Sequence, residues 1–239
     1  MRGIVLINYI LAIPGIFLAI TIHEYFKALM SHRLGDPHPK LKGRLHLNPK
    51  RHFEPIGFLL MLLFGYGWGL PVETTSTYYK DRKIGTLTAY VTPCLVNLLV
   101  ACAFFMLLLG VRQLSLTEEH ALAFSREGFA LSLHTIRALD HSAMDGLSPS
   151  PVLLIASGIL YQIVYMATHY NLAIAIINII PIHPLGASAV LECYLPGEKK
   201  YRFVQKRNIL LFLLLILFLS GIINFLFDPL IYSLLRPIA

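Results

Sequence analysis

The sequence predicts an all-α polytopic membrane protein. It should have about four to six transmembrane segments and a short membrane-associated β-hairpin or sheet near residues 38–72. Three observations carry that reading. The 239 residues are 56% hydrophobic, with a mean hydropathy of +0.66. Only 14% are charged, well under the roughly one quarter usual for soluble domains. The apolar residues fall in runs long enough to cross a bilayer, separated by short basic stretches.

The first run covers residues 4–31 and follows a single Arg2. No small-residue cleavage site ends its apolar part; His23 and Glu24 do, which predicts an uncleaved transmembrane helix. Residues 31–55 are polar and basic, and Lys40-Leu41-Lys42-Gly43-Arg44-Leu45-His46-Leu47 alternates as short strands do. Residues 56–72 are apolar but broken by Gly57, Gly65, Gly67, Gly69 and Pro71, so they read as a dip into the membrane or a short helix plus hairpin. Residues 86–110 form a second clear span, interrupted by Pro93. Residues 111–150 are polar and mixed, with an amphipathic stretch near residues 121–139, and read as an extracytoplasmic insertion. Residues 151–195 exceed one membrane thickness and contain Pro181 and Pro184, so a helix there must break where it faces protein or water. Residues 208–227 form a last span ending at Asp228-Pro229. The whole, 1–239, reads as one membrane domain.

Charge sets the topology. The formal net charge is +7, but the basic residues lie in loops between apolar runs. Nine fall in residues 32–83 and five in 196–207, against three in 111–150. The positive-inside rule puts residues 32–85 and 196–207 in the cytoplasm and explains the charge without a nucleic-acid partner. Cys94, Cys102 and Cys193 lie in or beside apolar segments without C-x-x-C spacing and read as unpaired packing residues.

The chemistry concentrates at the end of the first run, His23-Glu24-Tyr25-Phe26-Lys27. A zincin helix needs H-E-x-x-H, with two imidazoles at i and i+4 and the glutamate as general base. Here the second imidazole is a lysine. Ionisable residues within a span are expensive, about 2.5–3.5 kcal/mol for lysine or aspartate at the centre, so three within one turn mark an interior face. A Lys27–Glu24 ion pair near the interface, with His23 as a satisfied interior residue, accounts for the same pattern.

The chain resembles the site-2 protease family of intramembrane zinc proteases, in its compact group with the metal motif in the first helix. The resemblance rests on ordered pieces: the His23 motif; Gly35-Asp36-Pro37; Gly43-Arg44-Leu45; Leu47-Asn48-Pro49; Pro55-Ile56-Gly57; Gly67-Trp68-Gly69 with Pro71-Val72; Tyr79 to Gly85, with Pro93 and Asn97; and Asn178-Ile179-Ile180-Pro181-Ile182-His183-Pro184-Leu185. It covers most of the chain outside residues 111–150. In that family two histidines and a late aspartate bind zinc and the glutamate activates water. Carried over, His23 matches the first ligand and Glu24 the base. Lys27 stands at the second ligand, Gly186 at the aspartate and Ala187 at the glycine after it. The resemblance also implies that Asn178 contacts substrate; a polar residue satisfied within a broken helix is the alternative. Pro93 and Asn97 read as packing and helix-shaping residues.

Catalytic zinc takes three protein ligands plus water, and a protonated lysine offers three donors and no lone pair. The resemblance therefore implies a non-catalytic homologue without a cofactor, with His23 and Glu24 vestigial. Lys27 would neutralise Glu24 in place of the metal. Its partners would be the lipid bilayer and a transmembrane or peptide client, bound in the groove or by strand addition near residues 40–47. Two other readings stay open. One is an active intramembrane zinc protease with a different ligand set, His23 with His183 and Glu24, or His169 further upstream. The other is a transporter-like bundle using the broken 151–195 segment, although no inverted repeat is evident.

Overall fold

A computed structural model describes residues 2–115 and 151–235. The calls on residues 121–139 and on most of the 111–150 insertion lie outside them. The chain runs α1 (Arg2–Arg33), α2 (His38–Leu41), α3 (Pro55–Phe64), α4 (Arg82–Ser115), α5 (Pro151–Ile177), α6 (Gly186–Tyr194), α7 (Gly197–Gln205), α8 (Arg207–Leu219) and α9 (Ile222–Leu235), with 3-10 turns at Pro49–Arg51 and Ser76–Tyr78.

Three helices are long and apolar enough to span a bilayer: Asn8–Arg33, Arg82–Gly110 and Gly158–Ile177. The bent pair α8 and α9 makes a fourth if taken as one span. This is the low end of the expected count. Helix α3, at 10 residues, falls short of the ~20 a crossing needs. Residues 151–195 yield a single spanning helix because the helix stops at Ile177.

Helices α1, α4 and α5 pack pairwise into the central bundle, and α6 leans on α4. Of the three spans, α5 is the innermost, 67% buried over its window against 22% for α4. The approach of α1 to α5 is close: a Cβ on Gly15 would lie 2.9 Å from the Ala167 backbone nitrogen. Small residues let membrane helices come this near. Ile16, Ile20, Met61, Tyr170 and Ile174 fill one core, and Tyr161, Leu172 and Phe218 lie in a second. Leu99, Met106, Phe212, Leu219 and Phe225 are exposed, as a lipid-facing surface requires.

The hairpin expected near residues 38–72 does not form, and no strand occurs among the described residues. Local chemistry favours a helical turn instead. Asp36 Oδ1 accepts from the His38 amide at 3.0 Å, Pro37 and Pro39 set helical φ, and Gly43 closes the turn at φ +61°. Leu41 and Leu47, which would have shared the buried face of a strand, are 78% and 60% exposed. Strand addition at residues 40–47 therefore loses its template.

The 56–72 segment resolves into α3 and an extended return. Glu54 caps the Gly57 amide, and Gly65 ends the helix at φ +82°. The return lies directly on the helix: a Cβ on Gly57 would sit 2.1 Å from the Trp68 carbonyl oxygen. One backbone–backbone bond, Leu70 N–H to the His52 carbonyl at 2.8 Å, helps tie it down.

Two further expectations are corrected. Helix α4 runs unbroken through Pro93. The last span does not end at Asp228-Pro229; it bends by 64° at Ser220-Gly221, where Gly221 takes φ +74°. Asp228 instead accepts from the Tyr66 hydroxyl at 2.9 Å and sits inside α9.

Candidate functional site: a buried ion pair on the first helix

His23, Glu24 and Lys27 project from one face of α1 into the bundle and are 2%, 4% and 3% exposed. The interior face expected from the cost of three ionisable groups is therefore present. Lys27 Nζ lies 3.5 Å from Glu24 Oε2. It also sits 4.8 Å from the centroid of the Tyr90 ring on α4, a cation–π distance. The Val72 amide donates to the same Glu24 oxygen at 2.8 Å. The extended return after α3 thus closes over the pair. Gly69 allows this, since a Cβ there would meet Ile20 Cγ2 at 2.5 Å and Glu24 Cγ at 3.1 Å.

His23 belongs to a different network. Asn97 Nδ2 donates to the Ala19 carbonyl at 3.1 Å and to Asn171 Oδ1 at 2.8 Å. That fixes the amide orientation, so Asn97 Oδ1 accepts from His23 Nδ1–H at 3.2 Å. Asn171 Nδ2 donates back to the Ala167 carbonyl at 2.8 Å. Two fully buried asparagines thus link α1, α4 and α5. In the neutral ring the lone pair is then on Nε2, the tautomer a metal-ligating histidine adopts when its other nitrogen is held by a second shell.

Few metal-ligating side chains accompany His23 among the described residues. Among the described residues no three His, Cys, Asp or Glu side chains come together to hold a metal ion. The ammonium beside Glu24 would repel a cation. The ligand set of His23, His183 and Glu24 does not assemble. His183 lines a cavity together with Lys27, while His169 lies beside Tyr66, near the α3 return. The residues present do not fit zinc.

Gly186 opens α6, and its amide donates to Asn178 Oδ1 at 2.8 Å. A Cβ there would meet Asn178 Oδ1 and Tyr90 Cδ1, both at 3.2 Å, so Tyr90 crowds the space a longer side chain would enter. Asn178 Nδ2 donates to the Ile174 carbonyl at 2.8 Å. Both ends of this side chain are engaged across the break after α5, where freed backbone groups need partners. Asn178 also borders an apolar groove of about 670 Å³ between α4, the end of α5 and α6.

At the loop end of α1, buried Asp36 gathers the chain. Its carboxylate accepts from Ser31 Oγ at 3.0 Å, His38 Nδ1 at 2.7 Å and the Thr75 amide at 2.7 Å. Burial pushes this carboxyl up, but the bonds from Thr75 and His38 outweigh it and hold Asp36 below its ordinary value. Burial also pushes His52 below the ordinary imidazole value, and its Nε2 bonds the His46 carbonyl at 2.8 Å.

Four contributors are not assigned a role in the sequence reading: Tyr90, Asn171, the Val72 amide and Arg44, which bonds the Leu70 carbonyl. Tyr90 and Asn97 sit seven residues apart in α4, and Asn178, just past the end of α5, follows Asn171 by seven. Two-turn spacing of polar groups on an apolar helix is the one signal that marks Tyr90 and Asn171, without naming their partners; nothing comparable marks Arg44 or the Val72 amide.

The chain is similar to two named bacterial proteins. It is 23% identical over 216 residues to "Putative zinc metalloprotease YwhC" of Bacillus subtilis (strain 168), covering 90% of this chain and 83% of that one. It is 24% identical over 231 residues to "Putative zinc metalloprotease Rip2" of Mycobacterium tuberculosis (strain ATCC 25618 / H37Rv), covering 95% of this chain and 73% of that one. No protein-family model matches, and no solved structure does.

Proposed function

We propose that this chain is a site-2-protease-like membrane protein that binds a membrane client without cutting it. The similarity to proteins named as zinc metalloproteases over nine tenths of the chain supports the scaffold. The observation that carries the non-catalytic part is the Lys27–Glu24 pair, 3.5 Å apart and buried on both sides. The group that would act as general base is bound to an ammonium, where the resemblance places a second imidazole. Gly186, with Tyr90 against it, supplies no carboxylate where the resemblance places an aspartate. Without a metal, no bound water is activated and no carbonyl is polarised.

Client binding draws on two features. The apolar groove beside α4 and α6 is open toward the lipid-facing side, as a transmembrane segment needs. The polar cavity next to it, about 380 Å³, is walled by the extended residues 71–75 and by α6. Residues 32–85 and 196–207 would face the cytoplasm. In liposomes holding the full chain and a labelled single-span substrate, saturable association without product is expected. Cleavage that stops on Glu24→Gln would overturn this reading in favour of an active protease.

A further inference from the structure

The polar cavity holds two groups with donors that the fold leaves spare, Lys27 and His183; Thr74 and Tyr90 bond each other, and Ser188 bonds the Leu185 carbonyl. Its lining includes Lys27, Thr74, Tyr90, His183, Ser188 and Arg207. Lys27 reaches it, but the carboxylate that neutralises Lys27 does not: Glu24 lies behind, covered by the Val72 amide. An ammonium has three N–H donors. One goes to Glu24 Oε2 at the long distance of 3.5 Å, while Tyr90 offers only its ring face. His183 is half-buried, and among the described residues its ring makes no hydrogen bond. The other charges on the wall are already matched: Glu192 takes Arg207 at 2.6 Å and Lys200 at 3.6 Å, and Glu73 takes Lys42. What remains for a ligand is the spare N–H donors of the Lys27 ammonium and the His183 imidazole.

We propose that this cavity is a carboxylate site, with the Lys27 ammonium and the His183 ring as its donors. The ligand class is a peptide ending in a free carboxylate. The peptide part follows from the wall: among the described residues the Glu73 and Thr74 amides donate to no other group, so an extended chain can pair with them. The inference rests on the client-binding reading and deepens it, by naming which end of the client is held.

The test uses the full chain in detergent and two probes, acetyl-Leu-Ala-Leu as the free acid and as the C-terminal amide, titrated by calorimetry. The free acid should bind at least about tenfold tighter, since a buried partnered charge is worth at least that factor. Lys27→Gln should abolish the difference, Lys27→Arg should keep it, and His183→Ala should weaken the acid several-fold. If Lys27→Gln does not fold, the acid–amide comparison on the parent and the His183→Ala result decide alone. Acid and amide binding alike, or an acid preference untouched by His183→Ala, overturns the inference. Acetate serves as a third probe: failure to displace the peptide acid except in large excess supports a peptide ligand, and displacement at equal concentration overturns that part. Peptide cleavage would sink the client-binding reading instead, and is read from products rather than affinity.

Discussion

Replacing Lys27 with Met should unsettle the whole bundle, and the structure sets the scale. At 3.5 Å the Lys27–Glu24 attraction is about 5 kcal/mol at an effective dielectric of ~20. Removing one partner of a buried pair typically costs about 3–5 kcal/mol, because the other charge stays behind unpaired. Two features soften the loss here. The Val72 amide still donates to Glu24 at 2.8 Å, and the methionine retains the apolar contact with Tyr90. The net cost should be about 3 kcal/mol, which for a chain of this size lowers Tm by about 6–12 °C. Trp68 is the sole tryptophan and is 5% exposed, so its fluorescence reports unfolding in detergent directly. The double variant Glu24→Gln, Lys27→Met leaves no orphan charge and should recover more than half of the loss. A Lys27→Met protein melting within about 2 °C of the parent would refute the claim that this lysine neutralises Glu24.

Other outcomes follow from the same geometry. Asn97→Ala removes the bonds to His23, Ala19 and Asn171 and should cost about 1–3 kcal/mol, read as a lower Tm. Gly57→Ala puts a Cβ against the Trp68 carbonyl and should destabilise by at least about 1–3 kcal/mol, with a changed Trp68 emission. Asp36 is held below its ordinary value, so its contribution is present above its unfolded pKa of about 3.9 and is lost as pH falls through the lower folded value. Tm should therefore fall on acidification below about pH 4, and Asp36→Asn should remove that part of the slope. Lys27→His with Gly186→Asp should take up zinc only if Tyr90 yields by a few tenths of an ångström; adding Tyr90→Ala should raise the uptake, as elemental analysis would show.

What the sequence made legible is what membrane energetics makes expensive. Three ionisable residues in one turn of an apolar run had to face inward, and His23, Glu24 and Lys27 do. The break after residue 177 was legible from Pro181 and Pro184 for the same reason. The Lys40–Leu47 stretch misled because alternation over so few residues competes with local turn chemistry, and Asp36 with two prolines won. The bend at Gly221 was hidden because one glycine in an apolar run carries no signal of direction. Asn97 was read as a helix-shaping residue, yet it orients His23 from 74 residues away; pairing across helices leaves no trace in one sequence. Tyr90 escaped because an aromatic in an apolar span reads as packing until a cation is found over its ring.

Zinc content per chain tests the central claim most directly. Protein purified in detergent without chelator should carry well under one equivalent, with no change on His23→Ala. One equivalent of zinc that disappears with His23→Ala would contradict the account.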